Sequence, residues 1–552
     1  MRHYFLHRRI RLVSMITVLL AMMALVLTAC GKQSTSSDKQ TLKLSAQAPL
    51  DTIDLSKATG YGQTGNVFES FYRLGKSGTL TPGLAKSATV SADGKTYTFH
   101  LRPGLKWSNG DALTAKDFVY SWRRTLTPST KSQYAYLFDG IKNADQVNAG
   151  KAPVKSLGIS APTKTTVVVQ LDKPIAYFKL LMAYPLFAPQ NQRVVEKYGK
   201  KYATTSKYMV YSGPFKMEGW NGTGNKWQFV KNNQYWDKKA VKLNKITYQV
   251  IGNNTTGVEI FDQKKLSLTL LSNQQVKNYR DDSRFRQYPY SYMTYLKWNF
   301  RDSNATNNKA TNNVNIRQAV ALSVNRAQLT EKVLGDGSRV PTGFVPGGLA
   351  KDARTKQDFA SEQKVAHTVA YEPQLAKKKF ATGLKEVGIK KLTLTLLSTD
   401  DDGTSPMVAQ YLKSQLEKNL PGLTINIHSI PSKAADQQGQ KGEFDIMLSG
   451  WGGDFNDPIT FLQIPQSNTA YNYGKWSDSK YDDLIERAQN ADANEPAKRW
   501  QDLIQASQYL NRVQSFTPLY QANYAYLQQN DVHGIIHNTA GTQWNFKYTS
   551  IK

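Results

Sequence analysis

Polar and apolar positions alternate with period two along Thr96-Tyr97-Thr98-Phe99-His100-Leu101-Arg102, which predicts a half-buried strand. Ala92-Asp93-Gly94-Lys95 stands just before it, and Asp-Gly ahead of alternating residues predicts a hairpin turn. Thr114, with Asp117 three residues later and Phe118, Val119 and Trp122 beyond, has the pattern of a capped helix start. Further strands are expected at 41–46, 167–171 and 246–251 from their β-branched and alternating content, and a helical turn at 66–71. Helical spacing at 374–385 and 406–420 alternates with strands at 392–397 and 423–427, so this part of the chain is expected to be α/β with a mixed or partly parallel sheet. Helices are also expected at 480–489 and 497–510, and the Asn-rich stretch 302–313 is expected as a loop.

One stretch combines these patterns with chemistry. Phe444-Asp445-Ile446-Met447-Leu448 is a short apolar run that predicts a mostly buried strand. Asp457-Pro458 has the form of an N-cap followed by proline at the first helical position, opening a brief helix through Ile459, Phe461 and Leu462. Between them lie Gly450, Trp451, Gly452, Gly453 and Asp454, read as a loop. Its glycines allow close approach of backbone to ligand, its tryptophan offers a broad face, and its carboxylate stands where a strand ends. The alternative is a tight turn with a surface aspartate and a core tryptophan.

The N-terminus changes the picture. Arg2, Arg8, Arg9 and Arg11 precede an apolar run from Leu12 to Leu27, the form of a secretory signal peptide at 1–29. The single cysteine of the 552 residues, Cys30, follows directly, and residues 30–40 have the composition of a flexible tether. The remainder is long enough for a large core and more than one lobe. The formal net charge of +29 is spread through predicted elements of an exported chain, which argues against nucleic acid and for a soluble surface beside an anionic envelope. Tyrosine is abundant, with 30 residues, so aromatic faces are available for a ligand.

The run from Tyr97 to Arg102, with Lys106-Trp107-Ser108-Asn109-Gly110 and 113–124, is similar to the signature of the peptide/nickel-type (family 5) solute-binding proteins of ABC importers. Asn313-Val314-Asn315-Ile316-Arg317-Gln318-Ala319 with Ser323-Val324-Asn325-Arg326, the 451–462 stretch and Phe516-Thr517-Pro518-Leu519-Tyr520 agree in order, and the nearest subgroup resembles the oligopeptide-binding OppA-type lipoproteins. The resemblance implies an α/β, two-lobe periplasmic-binding-protein-like fold (type II, cluster C) with an extra subdomain in the N-terminal lobe. Its parts are expected at 41–68, 196–296 and 519–552 for lobe I, 69–195 for the extra subdomain and 297–518 for lobe II. Hinges are expected near 295–299 and 518–521.

In that family Asp454 matches the carboxylate that meets a peptide's α-ammonium, and Tyr134 an aromatic of the cleft. Gly450, Trp451 and Gly452 would supply backbone groups and a wall, with Tyr520 also in the peptide site. Leu448 stands where enterobacterial members have an arginine, and Ser432 where they have a tryptophan, so the family's partner for a short peptide's carboxylate and one side-chain wall are lost, and a preference for longer or more apolar peptides is expected. The Leu27-Thr28-Ala29-Cys30 ending resembles a lipobox, which implies lipidation at Cys30 and a monomeric, membrane-anchored protein on the extracytoplasmic face. Its partners would be an oligopeptide, a permease and ATPases.

A search for catalytic patterns argues for binding over catalysis. The chain has no Gly-x-Ser-x-Gly elbow and no P-loop. His533 and His537 are four apart, but Gly534, Ile535 and Ile536 between them argue against a zinc helix, and Asp400-Asp401-Asp402-Gly403 lacks the downstream glutamate of a calcium loop. No cofactor or metal is expected. The reading is a non-enzymatic, lipid-anchored receptor that delivers oligopeptides to an importer. The alternatives are the same fold binding a peptide pheromone, metal chelate, haem or sugar, or a surface adhesin or cell-wall hydrolase.

Overall fold

A computed structural model describes residues 38–552 apart from 48, 51, 59, 273 and 468. The expectations for the signal peptide, for Cys30 and for most of the tether lie outside the described residues.

Three larger sheets organise the chain. Thr41–Ala46 pairs in parallel with Lys245–Val250, and Lys226–Lys231 and Phe215–Glu218 extend that sheet antiparallel. A second, antiparallel sheet has the order Ala85–Val90, Thr96–Leu101, Thr166–Gln170, Ile159–Thr163. Period-two patterning places Tyr97, Phe99 and Leu101 on its buried face, where Phe71 stacks between Phe99 and Phe118. The helix Ala115–Leu126 begins in the expected capping box of Thr114 and Asp117.

The third sheet has six strands in the order Leu268–Leu271, Phe516–Gln528, Phe285–Trp298, Ile446–Gly452, Leu392–Thr399, Leu423–Ile430. The first three junctions are antiparallel and the last two parallel. The mixed sheet expected from the alternation of helical and strand patterns is therefore present. Helices Val314–Ser323, Pro373–Val387 and Ser405–Asn419 bury Val320, Phe380 and Leu412 in one core with Leu394, Leu396, Ile425 and Ile446. The segments expected as hinges pair with one another, Tyr295 opposite Pro518 and Leu296 opposite Thr517. The pairing of these long strands shifts register twice, between Pro289 and Met293 and between Thr294 and Tyr295, the second at the edge of the expected hinge.

Two local expectations are corrected. Residues 302–313 are not a loop: Ala305–Asn312 is a helix, capped by Asn304 Oδ1, which accepts from the backbone N–H of Thr306 and Asn307. Asn308 and Asn312 then donate to Phe300 O, so side-chain amides replace the missing apolar face. At 66–71 the turn is a 3-10 segment placed earlier, at Thr64–Asn66. Asp402, part of the acidic cluster, accepts from Thr404 N and Ser405 N at 2.9 and 2.6 Å and so caps Ser405–Asn419.

Candidate functional site

Strand Ile446–Gly452 runs further than its apolar start suggests, so Gly450, Trp451 and Gly452 are strand residues paired with Thr294, Met293 and Tyr292. The expected loop shrinks to Gly453 and the residues after it. Successive side chains of a strand point to opposite faces, which divides the candidate residues.

On one face, Gly450 and Gly452 lie under tyrosine rings. A Cβ on Gly450 would stand 2.1 Å from the Tyr292 hydroxyl oxygen, and one on Gly452 2.6 Å from that of Tyr290. Tyr290 stacks on Tyr292 and Tyr524, at 5.4 and 5.1 Å between centroids. Tyr520, buried and in register with Thr294, hydrogen-bonds Thr294 on this same side. The glycines therefore make room for the protein's own rings. Gly450→Val is expected to destabilise the fold by about 1–3 kcal/mol in thermal unfolding, with part of the loss recovered by adding Tyr292→Ala.

On the other face, Trp451 packs edge-to-face on Tyr471 at 4.6 Å, and Tyr471 packs on Tyr136 at 5.6 Å. Tyr136 Oη donates to Asp454 Oδ2 at 2.7 Å, and Tyr184 Oη to Oδ1 at 3.4 Å. Tyr134 touches both tyrosines and Tyr61, with centroids 5.9, 6.3 and 5.2 Å away. The structure thus brings Asp454, Trp451 and Tyr134 into one tyrosine cluster; Tyr290, whose hydroxyl lies over Gly452, also interacts with Asp454, Tyr134 and Tyr184, while Gly450 and Tyr520 lie further along the sheet beside Thr294. Tyr136 and Tyr184 were missed by sequence reasoning; the only signal was the Tyr-x-Tyr spacing of Tyr134 and Tyr136.

Asp454 is 6 % exposed. Its backbone N–H donates to Thr460 Oγ1 at 3.0 Å, which fixes the residue at the end of the strand. Burial lifts its carboxyl from 3.8 to about 7, against the two tyrosine hydroxyls, which pull it down. Among the described residues no cation forms an ion pair with it, whereas other buried acids have one. Asp457, three residues on, is held by Arg499 through bonds of 2.8 and 2.9 Å. Asp457 also accepts from Ile459 N, and the short helix begins at Ile459 rather than at Pro458. A buried carboxylate with hydroxyl donors and no counter-charge is able to pair with an ammonium group.

The strand edge beside this pocket is open. Pairing with Leu392–Thr399 reaches only Ile446 and Met447, so residues 448–452 have no strand on that side among the described residues. A cavity of about 1330 Å³ begins past the pocket, at Asn456 and Asp457, and is lined also by Lys76, Tyr288, Arg354 and His537. None of Asp454, Trp451, Tyr134 or Tyr520 lines it. Leu448 is buried in the apolar core, and the Ser432 hydroxyl bonds Asp401. His533 and His537 lie on separate two-residue strands, with burial depressing His537 to about 4. Among the described residues no group of three His, Cys, Asp or Glu side chains could hold a metal ion, and no helix is long and apolar enough to cross a membrane.

Comparison with known proteins identifies the family. The family model for bacterial extracellular solute-binding proteins, family 5, matches residues 79–473. The chain is 39% identical over 549 residues to a dipeptide-binding protein of Lactococcus lactis subsp. cremoris, covering 97% of this chain and 98% of that one. Among solved structures, Listeria monocytogenes OppA bound to peptide superposes with a TM-score of 0.82 at 34% identity, covering 94% of this chain and 100% of that one. The pheromone receptor PrgZ gives 0.83 at 30%, covering 93% and 100%. The two-lobe architecture of these proteins is the one expected from the sequence, and the chain belongs to family 5 of the bacterial extracellular solute-binding proteins.

Proposed function

We propose that this protein captures oligopeptides between its lobes and delivers them to the permease and ATPases of an ABC importer, without catalysis of its own. The observation that carries this reading is the buried Asp454 carboxylate, with no ion-pair partner among the described residues, at the end of an open strand edge. An extended peptide adds to residues 448–452 as a further strand, its main chain supplying the hydrogen bonds, while its α-ammonium meets Asp454. Tyr134, Tyr136, Tyr184, Tyr471 and Trp451 enclose that end and exclude water, which strengthens the charge pair. Asp454 and Trp451 come from 297–518, and Tyr134, Tyr136 and Tyr184 from 69–195. A site built from both closes as the lobes close, with 41–68, 196–296 and 519–552 forming the remainder of lobe I.

The signal at 1–29 and Cys30 support export and lipid anchoring at the extracytoplasmic face of the membrane, as a monomer. A peptide pheromone would use the same groups, so nutrition and signalling share one recognition chemistry. Native mass spectrometry of the purified protein should show a ladder of co-purifying peptides, released on denaturation. A ligand-free preparation that binds no peptide on titration would end this reading.

A further inference from the structure

Lys297 is a buried cation that the peptide reading has not yet used. It lies on strand Phe285–Trp298, opposite Met447, and is 2 % exposed. Its ammonium donates to Tyr471 O at 3.1 Å and sits 3.9 Å from the centre of the Tyr473 ring. Among the described residues no acid forms an ion pair with it. The acid that acts on it, Asp436, is held by Tyr473 Oη at 2.6 Å and Gln440 Nε2 at 2.7 Å. Burial draws the Lys297 ammonium down from 10.5 to about 7, the mirror image of Asp454.

The placement of the two charges matters more than either alone. Met447, Ser449 and Trp451 share one face of their strand, and Lys297 is in register with the first of them. The open edge starts just past Met447 and runs to Gly452, and Asp454 follows two residues later. Five strand residues span about 17 Å, the reach of four or five extended peptide residues. One end of this edge therefore has a buried anion and the other a buried cation, and among the described residues neither forms an ion pair.

We infer that Lys297 is the anionic subsite of the cleft, taking a carboxylate of the bound peptide while Asp454 takes its ammonium. This rests on the peptide reading and adds a polarity and a preferred length of about four residues to it. The carboxylate is supplied by the C-terminus or by an acidic side chain. Both are the same chemistry, and peptide design separates them.

The test compares Ala-Ala-Ala-Ala with its C-terminal amide by titration calorimetry on the full protein. The wild type is expected to favour the free acid about tenfold or more, and Lys297→Met to reduce that preference to within about twofold with little change for the amide. Equal weakening of acid and amide would show that Lys297 only holds the 471–473 segment, and would overturn the inference. Should Lys297→Met fail to fold, the wild type alone decides: a length series of two to six alanines as acids and amides must show the acid preference peaking near four, and its absence overturns the proposal. Ala-Glu-Ala-Ala amide against Ala-Gln-Ala-Ala amide identifies a side-chain source. Failure of every one of these peptides to bind would instead remove the peptide reading itself.

Discussion

Asp454→Ala is expected to weaken binding of peptides with a free N-terminus by about 30-fold to several thousand-fold, and of their N-acetylated counterparts far less. The range follows from roughly 2–5 kcal/mol for removing one partner of a buried, hydrogen-bonded charge pair, at 1.4 kcal/mol per decade of affinity. Burial of the carboxylate favours the upper part of that range. The carboxylate is buried, its two donors are neutral hydroxyls, and among the described residues no cation pairs with it. Acetylation removes the ligand's charge, so the acetylated peptide has little to lose. Calorimetric titration of a matched pair of peptides checks this, and equal loss for both would take Asp454 out of the amine-contact role.

Much of this site was legible in the sequence, and what was missed has a common cause. Asp454 and Trp451 stood out because strand, glycines and helix cap follow one another within fifteen residues, so local patterning was enough. The roles of Gly450 and Gly452 were not legible. Their lack of side chains answers to Tyr290 and Tyr292, some 160 residues earlier in the chain, and only strand pairing reveals the match. Tyr136 and Tyr184 were two among 30 tyrosines, and their reach to Asp454 depends on how distant segments meet. The helix Ala305–Asn312 escaped because periodicity detects an apolar face, and this helix is held by asparagine amides instead. Lys297 read as one of 71 basic residues until its burial beside Tyr471 and Tyr473 was seen.

The affinity for free-amine peptides is expected to fall toward tenfold for each pH unit below about 7. In the ligand-free protein the Asp454 carboxyl titrates near 7 because burial disfavours its charge, whereas a bound ammonium stabilises the ionised form. Binding therefore releases a proton below that pH, and the neutral acid cannot pair with the ligand. The same shift has a definite sign for stability. A folded-state carboxyl raised above its unfolded value binds its proton more tightly when folded, so the ligand-free protein loses stability as pH rises from about 4 through about 7. At about 1.4 kcal/mol per unit the loss approaches about 4 kcal/mol. Asp454→Asn keeps the shape and removes the charge, so the empty variant should unfold at a higher temperature than wild type at pH 8, but not at pH 4. Its binding should be weak and flat between pH 5 and 7. The wild-type affinity declines again above pH 8, as the peptide's amine loses its proton. Lys297 loses its proton near 7 in the empty protein, which adds to this alkaline decline. Lys297→Met should therefore flatten part of the alkaline limb and leave the acid limb intact, which assigns each limb to one end of the ligand. A wild-type affinity constant from pH 5 to 7.5 would mean that the Asp454 carboxylate is already ionised without ligand, and the ammonium-driven proton release would be lost with it.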